Sequence, residues 1–178
     1  MDILPTRFSD CYELKLPFFK DKRGHLVKIF AETFYQKLKL PTQFKEDFYS
    51  VSKKHVLRGL HFQNIPYDQD KVVYCIDGLI FDVVVDLRSE SPTFAQHQTF
   101  MLSGEQGNGL FIPKGFAHGF YTISDLSIVG YKVSTEHNPS HDSGIHWNSV
   151  GIDWPQAKPI VSERDEKLIP FSQFKTPF

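Results

Sequence analysis

The chain has few of the features that mark secreted or membrane proteins. Its 178 residues include only two cysteines, Cys11 and Cys75, which are too few for a disulfide scaffold and lack the CxxC spacing of a zinc or redox motif. No apolar run of 18 residues occurs, and the charged N-terminal segment MDILPTRFSD contains no apolar signal region. These absences predict a soluble protein of a reducing compartment, the cytoplasm.

Charge of one sign is not in excess either. The sequence has 20 Lys and Arg against 21 Asp and Glu, so the formal net charge is -1 at pH 7. A protein with this balance has no overall attraction for nucleic acid or for an anionic membrane. We therefore expect neither of them as a partner.

The histidines do not follow a metal-binding pattern. Small β-barrels that hold a metal present closely spaced ligands, such as HxH followed by a carboxylate. No HxH occurs here, and Gln63 stands two positions after His61. His137, His141 and His146 are spaced loosely around a proline, as in a polar loop. The sequence predicts no metal site.

Motifs for nucleophilic catalysis and for phosphate-binding loops are also missing. The chain contains no GxSxG, GxGxxG or GxxxxGK[ST] segment, and Cys75 lies in the apolar run VVYCI. If phosphates are bound, arginines must bind them. Arg23 in DKRG and Arg58 in LRGLH are the candidates, because each stands beside a glycine and a guanidinium group matches the geometry of a pyrophosphate.

The composition that is present predicts one all-β domain over residues 1–178. Hydrophobic residues make up 40% of the chain, which is enough for a single core, and 11 prolines spread along it disfavour long helices. The only helical window is residues 32–40, stopped by Pro41. Short apolar runs bounded by turn residues predict strands at FAQHQTFML, GLFI, GFYTI and SIVGYKVST. We expect an antiparallel sandwich or barrel with one or two short helices.

The strongest local signal lies in the segment VVYCIDGLIFDVVVDLR. Asp77 and Gly78 separate two β-branched and aromatic runs, which predicts a β-hairpin with a type I′ turn. The second arm alternates with a period of two, as expected of a strand with one buried face. Its two predicted faces are Phe81, Val83, Val85 and Leu87 on one side and Asp82, Val84 and Asp86 on the other.

Polar side chains within or beside these strands are the candidates for chemistry. If His61, Lys71, His118 and Tyr131 face inward, they converge in one pocket as a base, two cations or donors, and a phenol, a set that suits proton transfer on carbon. Taken alone, each residue also has a purely structural interpretation. His61 would be a hydrogen-bonded core histidine and Lys71 a solvated lysine, whereas His118 would be a tightly packed histidine and Tyr131 a barrel-lining tyrosine. Asp165 in VSERDEK would by default belong to a solvated charged face.

The order of eight segments resembles the dTDP-4-dehydrorhamnose 3,5-epimerase family. These segments are DKRG, VLRGLHFQ, DQDK, GLIFDVVVDLRSESPTF, IPKGFAHGF, GYKVST, GIDW and VSERD, spread over residues 21 to 165. The resemblance implies a cupin-like jelly-roll barrel that inverts carbon beside the ketone of a nucleoside-diphosphate-linked 4-keto-6-deoxy sugar, without a cofactor, in surface polysaccharide synthesis. It also implies a homodimer in which the DKRG strand reaches toward the partner's pocket.

The resemblance assigns roles to the matching positions. His61 corresponds to the general base, Asp165 to its paired carboxylate, Lys71 to the lysine at the enolate oxygen and Tyr131 to the acid on the opposite face. The remaining positions are expected to bind substrate, and they are Phe18, Arg23, Lys28, Glu46, Arg58, Gln63, His118 and His137.

Three departures from the family pattern fall on the nucleotide-binding side. Lys28 replaces an acid, Glu46 and Phe48 replace a Gln-x-Asn pair, and His137 replaces a tyrosine. Because the Glu46 carboxylate can accept from two adjacent donors of guanine, a GDP-linked 4-keto sugar, hexose or heptose, is an alternative to a dTDP-linked one.

The outcome of the reaction is not fixed by these motifs. The sequence leaves open whether C3, C5 or both are inverted, and the stereochemistry of the product. A non-catalytic sugar-nucleotide-binding barrel and a metal-dependent cupin are rival hypotheses from different functional classes. The first predicts binding without hydrogen exchange, and the missing HxH disfavours the second.

Overall fold

The computed structural model describes residues 1–178, which form many β-strands and little helix. The helical segments are α1 (Glu32–Lys37), α2 (Glu163–Glu166) and a 3-10 turn at Phe171–Gln173. The strands are β1 (Asp2–Pro5), β2 (Tyr12–Lys15), β3 (Phe18–Asp21), β4 (Gly24–Val27), β5 (Glu46–Lys53), β6 (Leu57–Gln63), β7 (Lys71–Asp77), β8 (Leu79–Asp86), β9 (His97–Ser103), β10 (Asn108–Ile112), β11 (Phe116–Thr122), β12 (Leu126–Val133) and β13 (Asp142–Gly144). The antiparallel all-β prediction is confirmed, and the predicted helical window contains α1.

Two antiparallel sheets form the body of the domain. The first has six strands in the order β1-β2-β10-β7-β12-β5, and the second has five in the order β13-β6-β11-β8-β9. Apolar side chains from both sheets, including Val73, Val84, Leu110 and Phe120, form the largest buried cluster. Burial of these side chains stabilises the sandwich at roughly 25 cal/mol for each Å² of apolar surface removed from water.

The predicted hairpin between β7 and β8 is wrong. β7 pairs with β10 and β12 in the first sheet, whereas β8 pairs with β9 and β11 in the second. A type I′ turn needs a positive φ at both central residues, and of this pair only Gly78 has one, +83°. Both arms are apolar enough to be buried in separate sheets, so the Asp77-Gly78 corner passes the chain from one sheet to the other.

The alternation predicted for β8 is present, but neither face is exposed. Val83, Val85 and Leu87 lie in a cluster on the outer side of the second sheet, where Phe174 and Phe178 pack against it. The opposite face, with Asp82 and Val84 on it, points into the sandwich and is fully buried. The expectation of a half-buried strand is therefore wrong, because the C-terminal segment covers what would otherwise be the exposed face.

A separate two-stranded hairpin, β3 and β4, carries the DKRG segment. It belongs to neither large sheet, and Phe19 and Leu26 are exposed on it. None of the helices is long and apolar enough to cross a membrane.

Candidate active site

A cavity of about 330 Å³ opens between the two sheets at one end of the sandwich. Its walls come from strands of both sheets and from the chain around β13 and α2. The structure brings together there these predicted residues: Glu46, Arg58, His61, Gln63, Lys71, His118, Tyr131 and His137. Asp165 lies directly behind one wall, bound to His61.

The His61 imidazole is held by a buried carboxylate. His61 is on β6, and its Nε2 lies 2.7 Å from Oδ1 of Asp165, the buried residue of α2. The other oxygen, Oδ2, accepts from the backbone N–H of Gly59 at 3.3 Å. Burial alone would raise the pKa of Asp165, but the hydrogen bond and charge of His61 and the Gly59 N–H outweigh it and lower that pKa. The carboxylate stays ionised and orients the ring.

Asp165 is in place because α2 begins with a capping serine. The backbone N–H of Asp165 donates to Oγ of Ser162 at 3.1 Å, the hydrogen bond expected of an N-cap residue. This cap fixes the short helix at the edge of β6. The sequence VSERD therefore encodes both the carboxylate and the turn that aims it at His61, whereas the default interpretation of a solvated charged face is wrong for Asp165.

Lys71 is a buried ammonium at the start of β7. Its Nζ donates to the backbone carbonyl of His61 at 3.2 Å, and it makes no other hydrogen bond within the protein. Burial lowers its pKa to about 8, while the negative charges of Asp142 and Asp82 oppose that shift. Two donor hydrogens of the ammonium group are available to a ligand in the cavity. The interpretation of a solvated lysine does not apply.

Tyr131 stands on the opposite sheet from His61. It lies on β12, and its ring stacks on Phe48 of β5 with centroids 4.7 Å apart and an interplanar angle of 13°. Burial, followed by the charge of Asp82, raises the pKa of Tyr131, so the phenol keeps its proton at neutral pH. A base and a protonated acid thus face the cavity from different walls.

His118 is the neighbour of His61 in the second sheet and has its own carboxylate. The two histidines are paired in register between β11 and β6. His118 Nε2 lies 2.8 Å from Oδ2 of Asp82, and both side chains are buried. The sequence assigned Asp82 to the same strand face as Val84, but it contained no signal that this carboxylate would meet His118.

The guanidinium group of Arg58 is fixed at the rim of the cavity. Its Nε donates to Oγ of Ser52 at 2.9 Å, and its Nη2 donates to the carbonyl of Val51 at 3.2 Å. The group is therefore preorganised, and Arg58 lines the cavity. This arrangement suits a phosphate ligand.

A chain of linked polar residues, Glu46, His137, Asp142 and Arg164, forms the mouth of the cavity. Glu46 Oε2 accepts from the backbone N–H of His137 at 2.7 Å, and His137 Nε2 lies 3.3 Å from Oδ2 of Asp142. Asp142 Oδ1 in turn pairs with Nη2 of Arg164 at 2.9 Å. Asp142 and Arg164 were not among the sequence candidates, because Asp142 stands in no recognisable motif and the resemblance in VSERD assigned a role only to Asp165.

Gln63 lines the cavity, but its amide is fully engaged with backbone groups. Its Oε1 accepts from the N–H of Asn138 at 2.6 Å, and its Nε2 donates to the carbonyls of Tyr67 and Glu136 at 2.8 and 3.2 Å. Gln63 therefore links the loop that contains Tyr67 to the loop that contains Glu136 and Asn138, beside the cavity.

Three predicted substrate-binding residues lie outside this cavity. Phe18, Arg23 and Lys28 belong to the β3–β4 hairpin or follow it, and none of them lines the cavity. The Arg23 side chain is 84% exposed and pairs with Asp21 at 2.6 Å, whereas the Phe18 ring stacks on His25. Within one chain, the structure does not bring them to His61.

The arrangement can move protons at carbon beside a carbonyl group. His61 supplies a base backed by a carboxylate, Tyr131 supplies an acid from the other sheet, and Lys71 supplies positive charge for an oxygen that becomes an oxyanion. No group of three or more His, Cys, Asp or Glu side chains is arranged to hold a metal ion.

Comparison with known proteins agrees with this chemistry. The sequence profile of the dTDP-4-dehydrorhamnose 3,5-epimerase family matches residues 5–173. The chain is 41% identical over 172 residues to dTDP-4-dehydrorhamnose 3,5-epimerase of Escherichia coli K12, covering 94% of this chain and 93% of that protein.

Solved structures give the same result. The enzyme of that name from Bacillus anthracis, crystallised with TDP and PPi bound, superposes with a TM-score of 0.92 at 38% identity, covering 95% of this chain and 98% of that one. The Legionella pneumophila epimerase in complex with dTDP-4-keto-L-rhamnose has a TM-score of 0.92 at 34% identity, covering 98% and 94%. The chain therefore belongs to the dTDP-4-dehydrorhamnose 3,5-epimerase family and is a nucleotide-sugar epimerase, an isomerase with a cupin-like fold.

Proposed function

We propose that this protein inverts C3 and C5 of a dTDP-linked 4-keto-6-deoxy sugar by proton transfer through an enolate. The observation that carries the proposal is the placement of His61 and Tyr131 on opposite sheets across one cavity that Lys71 also lines. Inversion requires removal of a hydrogen from one face of a carbon and return of a proton to the other. The names of the relatives supply the sugar and the nucleotide.

The first step belongs to the His61–Asp165 pair. His61 takes the proton from the carbon beside the ketone, and the C–H electron pair becomes the enolate. Asp165 stabilises the imidazolium that forms and fixes the tautomer of the ring before the reaction. Lys71 donates to the oxygen on which the negative charge develops, so it stabilises the transition state more than the ground state.

The second step belongs to Tyr131. Its phenol gives a proton to the opposite face of the enolate carbon and becomes a phenolate. The raised pKa ensures that the phenol is present at the start of the step. Exchange with water then returns the imidazolium and the phenolate to their starting forms, after which the same groups can act at the second carbon.

We propose that the nucleotide end of the substrate binds near Arg58 and the mouth of the cavity. The preorganised guanidinium of Arg58 would bind the pyrophosphate. We also propose a homodimer in which the partner's hairpin brings Arg23, Phe18 and Lys28 to this mouth. The exposed apolar side chains of Phe19 and Leu26 and the absence of Arg23 from its own cavity support that assembly. Size-exclusion chromatography with light scattering tests it, and a monomer would contradict it.

The guanine hypothesis depends on Glu46. Its Oε2 already accepts from the His137 N–H, while Oε1 makes no hydrogen bond within the protein. Parallel titrations with dTDP and GDP separate the two bases. We expect tighter binding of dTDP; a preference for GDP that disappears in Glu46→Gln would replace dTDP by GDP in the proposal.

The reaction is tested by proton NMR in deuterated water with a dTDP-linked 4-keto-6-deoxy hexose. We expect deuterium at both C3 and C5 of the product, together with inversion at both carbons. Deuterium at one carbon alone would identify a single-carbon epimerase. Binding without any exchange would identify a non-catalytic barrel and would overturn the proposal.

We also propose that the protein acts in the cytoplasm. Both cysteines, Cys11 and Cys75, are free and buried, which fits the reducing environment of the cytoplasm. A product of this kind would supply deoxy sugar for a surface polysaccharide.

A further inference from the structure

His137 at the mouth of the cavity contacts two carboxylates, and one nitrogen of its ring has no partner. Its backbone N–H donates to Oε2 of Glu46 at 2.7 Å, which fixes the chain that follows β12. Its Nε2 lies 3.3 Å from Oδ2 of Asp142, whereas Nδ1 makes no hydrogen bond within the protein. The side chain lines the cavity and is 55% exposed, so the ring can contact both the solvent and a ligand.

The protonation state of this ring decides what Nδ1 can do. An ionised carboxylate only accepts hydrogen bonds, so Asp142 favours the neutral tautomer that has its proton on Nε2. Nδ1 then carries a lone pair, which repels the oxygen atoms of a phosphate. A second proton turns Nδ1 into a charged donor, and hydrogen bonds from a charged donor to a phosphate are stronger than neutral ones. The imidazolium form is therefore a phosphate ligand, whereas the neutral form is not.

Asp142 also places an arginine beside this ring. Its Oδ1 lies 2.9 Å from Nη2 of Arg164, so one carboxylate separates the guanidinium of Arg164 from the imidazole of His137. The two groups come from α2 and from the chain that follows β12, and both line the cavity. A pyrophosphate has two neighbouring phosphates, which two donors placed side by side can bind together.

The fixed charges around the mouth of the cavity cancel each other. Arg58 and Arg164 supply two positive charges, and Glu46 and Asp142 supply two negative ones. The other titratable groups that line the cavity are His61, Lys71, His118 and Tyr131. Lys71, His118 and Tyr131 are buried, and His61 is bound to Asp165. The net charge at the mouth therefore changes with the protonation of His137.

We propose that protonation of His137 controls capture of the substrate, because the imidazolium joins the arginines in binding the pyrophosphate and the neutral ring does not. This inference rests on the proposed function, since it assumes that the pyrophosphate binds near Arg58 at the mouth. It adds a pH dependence of binding that is separate from the pH dependence of proton transfer. Affinity should increase as pH falls through the range between pH 5 and 8 in which histidine gains its proton.

The test measures binding of dTDP-glucose by isothermal titration calorimetry at about pH 5.5 and about pH 8. This probe carries a hydroxyl group in place of the C4 ketone, so it is not epimerised, and its pyrophosphate, esterified at both ends, does not titrate in this range. We expect the parent to bind about 5-fold more tightly at the lower pH. His137→Gln keeps the backbone N–H that Glu46 accepts, and it should bind weakly at both pH values. His137→Lys stays charged and should bind tightly at both.

His141→Gln is the matched control. His141 lies in the same segment between β12 and β13 but does not line the cavity, so this variant should keep the parent's dependence on pH. A parent with equal affinity at both pH values would overturn the proposal, as would a His137→Gln or His137→Lys variant that depends on pH as the parent does. If dTDP-glucose does not bind to the parent at either pH, it is the proposed function that fails.

Discussion

At the scale of single residues, the chemistry depends on which groups are paired and which are free. His61 has one ring nitrogen bound to Asp165 and the other without a partner in the protein, so one nitrogen is oriented while the other can take a proton. Lys71 and Tyr131 are buried, and burial lowers the pKa of Lys71 to about 8, which makes its ammonium a stronger donor, and raises the pKa of Tyr131, which keeps its phenol protonated. The same side chains on a solvated surface would have none of this bias.

Replacing the base tests the first of these roles. His61→Asn should abolish exchange of both ring hydrogens and lower kcat by about 100-fold or more, the usual cost of losing a general base. The measurement is deuterium incorporation followed by proton NMR. His97→Asn, on β9 and outside the cavity, is the control and should keep the parent rate. Full activity in His61→Asn would exclude His61 as the base.

The placement of the candidate residues was predictable from sequence to different degrees. His61, Lys71 and Tyr131 stand in strand segments whose resemblance to a known family assigns them roles, and the structure places them around one cavity. Asp82 and Asp142 were missed as partners, because a carboxylate's contact across a sheet depends on register. Register follows from the whole pairing scheme and is not written in any short motif.

At the scale of elements, the site depends on how closely β6 and β11 approach. Gly59 and Gly119 face each other where the register between these strands shifts. A Cβ on Gly119 would lie 2.8 Å from the carbonyl oxygen of Arg58 and 3.0 Å from Cα of Gly59, both of them backbone atoms. The strands that carry His61 and His118 can therefore pack this closely only with glycine at these positions.

Gly119→Ala tests this contact. We expect a loss of about 1–3 kcal/mol in the free energy of unfolding, because backbone atoms must move apart to admit the methyl group. The epimerase rate should also fall, even under conditions where the variant is fully folded, since Arg58 and His61 move with the strand. Chemical denaturation measures the first effect and the epimerase assay the second. Gly151→Ala is the comparison, because open space surrounds Gly151 and only its φ of +69° opposes the substitution. Its loss of stability should leave the site intact, so a loss of activity in Gly119→Ala no greater than in Gly151→Ala would refute the steric argument.

Elements themselves were predicted better than their partners. A period of two and bounding turn residues located β8, β9, β10, β11 and β12. The Asp77-Gly78 turn led to a wrong prediction of strand pairing, because a favourable turn sequence indicates that the chain bends there and does not indicate which strand lies alongside. The two aspartates on one face of β8, Asp82 and Asp86, gave no indication that this face is buried.

At the scale of the whole molecule, stability in acid follows from buried carboxylates with lowered pKa values. Burial alone would raise the pKa of Asp86, but hydrogen bonds from Arg88, Ser91 and Thr93 outweigh it and lower that pKa. A lowered native pKa contributes stability above the unfolded pKa of about 3.9, and this contribution is lost as pH falls through the native value. Asp86 joins β8 to the loop that follows, so its ionisation affects the fold far from the cavity.

Asp86→Asn should therefore destabilise the protein by about 1–3 kcal/mol at pH 7. The difference from the parent should shrink as pH falls below 4, where the parent loses the same contribution. Urea unfolding at a series of pH values measures it. A difference that is constant from pH 7 to acid would show that the charge of Asp86 is not responsible.

The two sheets also place the base and the acid on opposite walls, which is the central claim, and Tyr131→Phe tests it most directly. In deuterated water, proton NMR of the variant with the 4-keto sugar should show exchange of ring hydrogens largely retained while inversion falls by about 100-fold. His61 still removes the hydrogen, its imidazolium exchanges with the solvent, and it returns deuterium to the same face. Tyr49→Phe, an exposed neighbour on β5, should behave as the parent. Undiminished inversion in Tyr131→Phe would contradict the account.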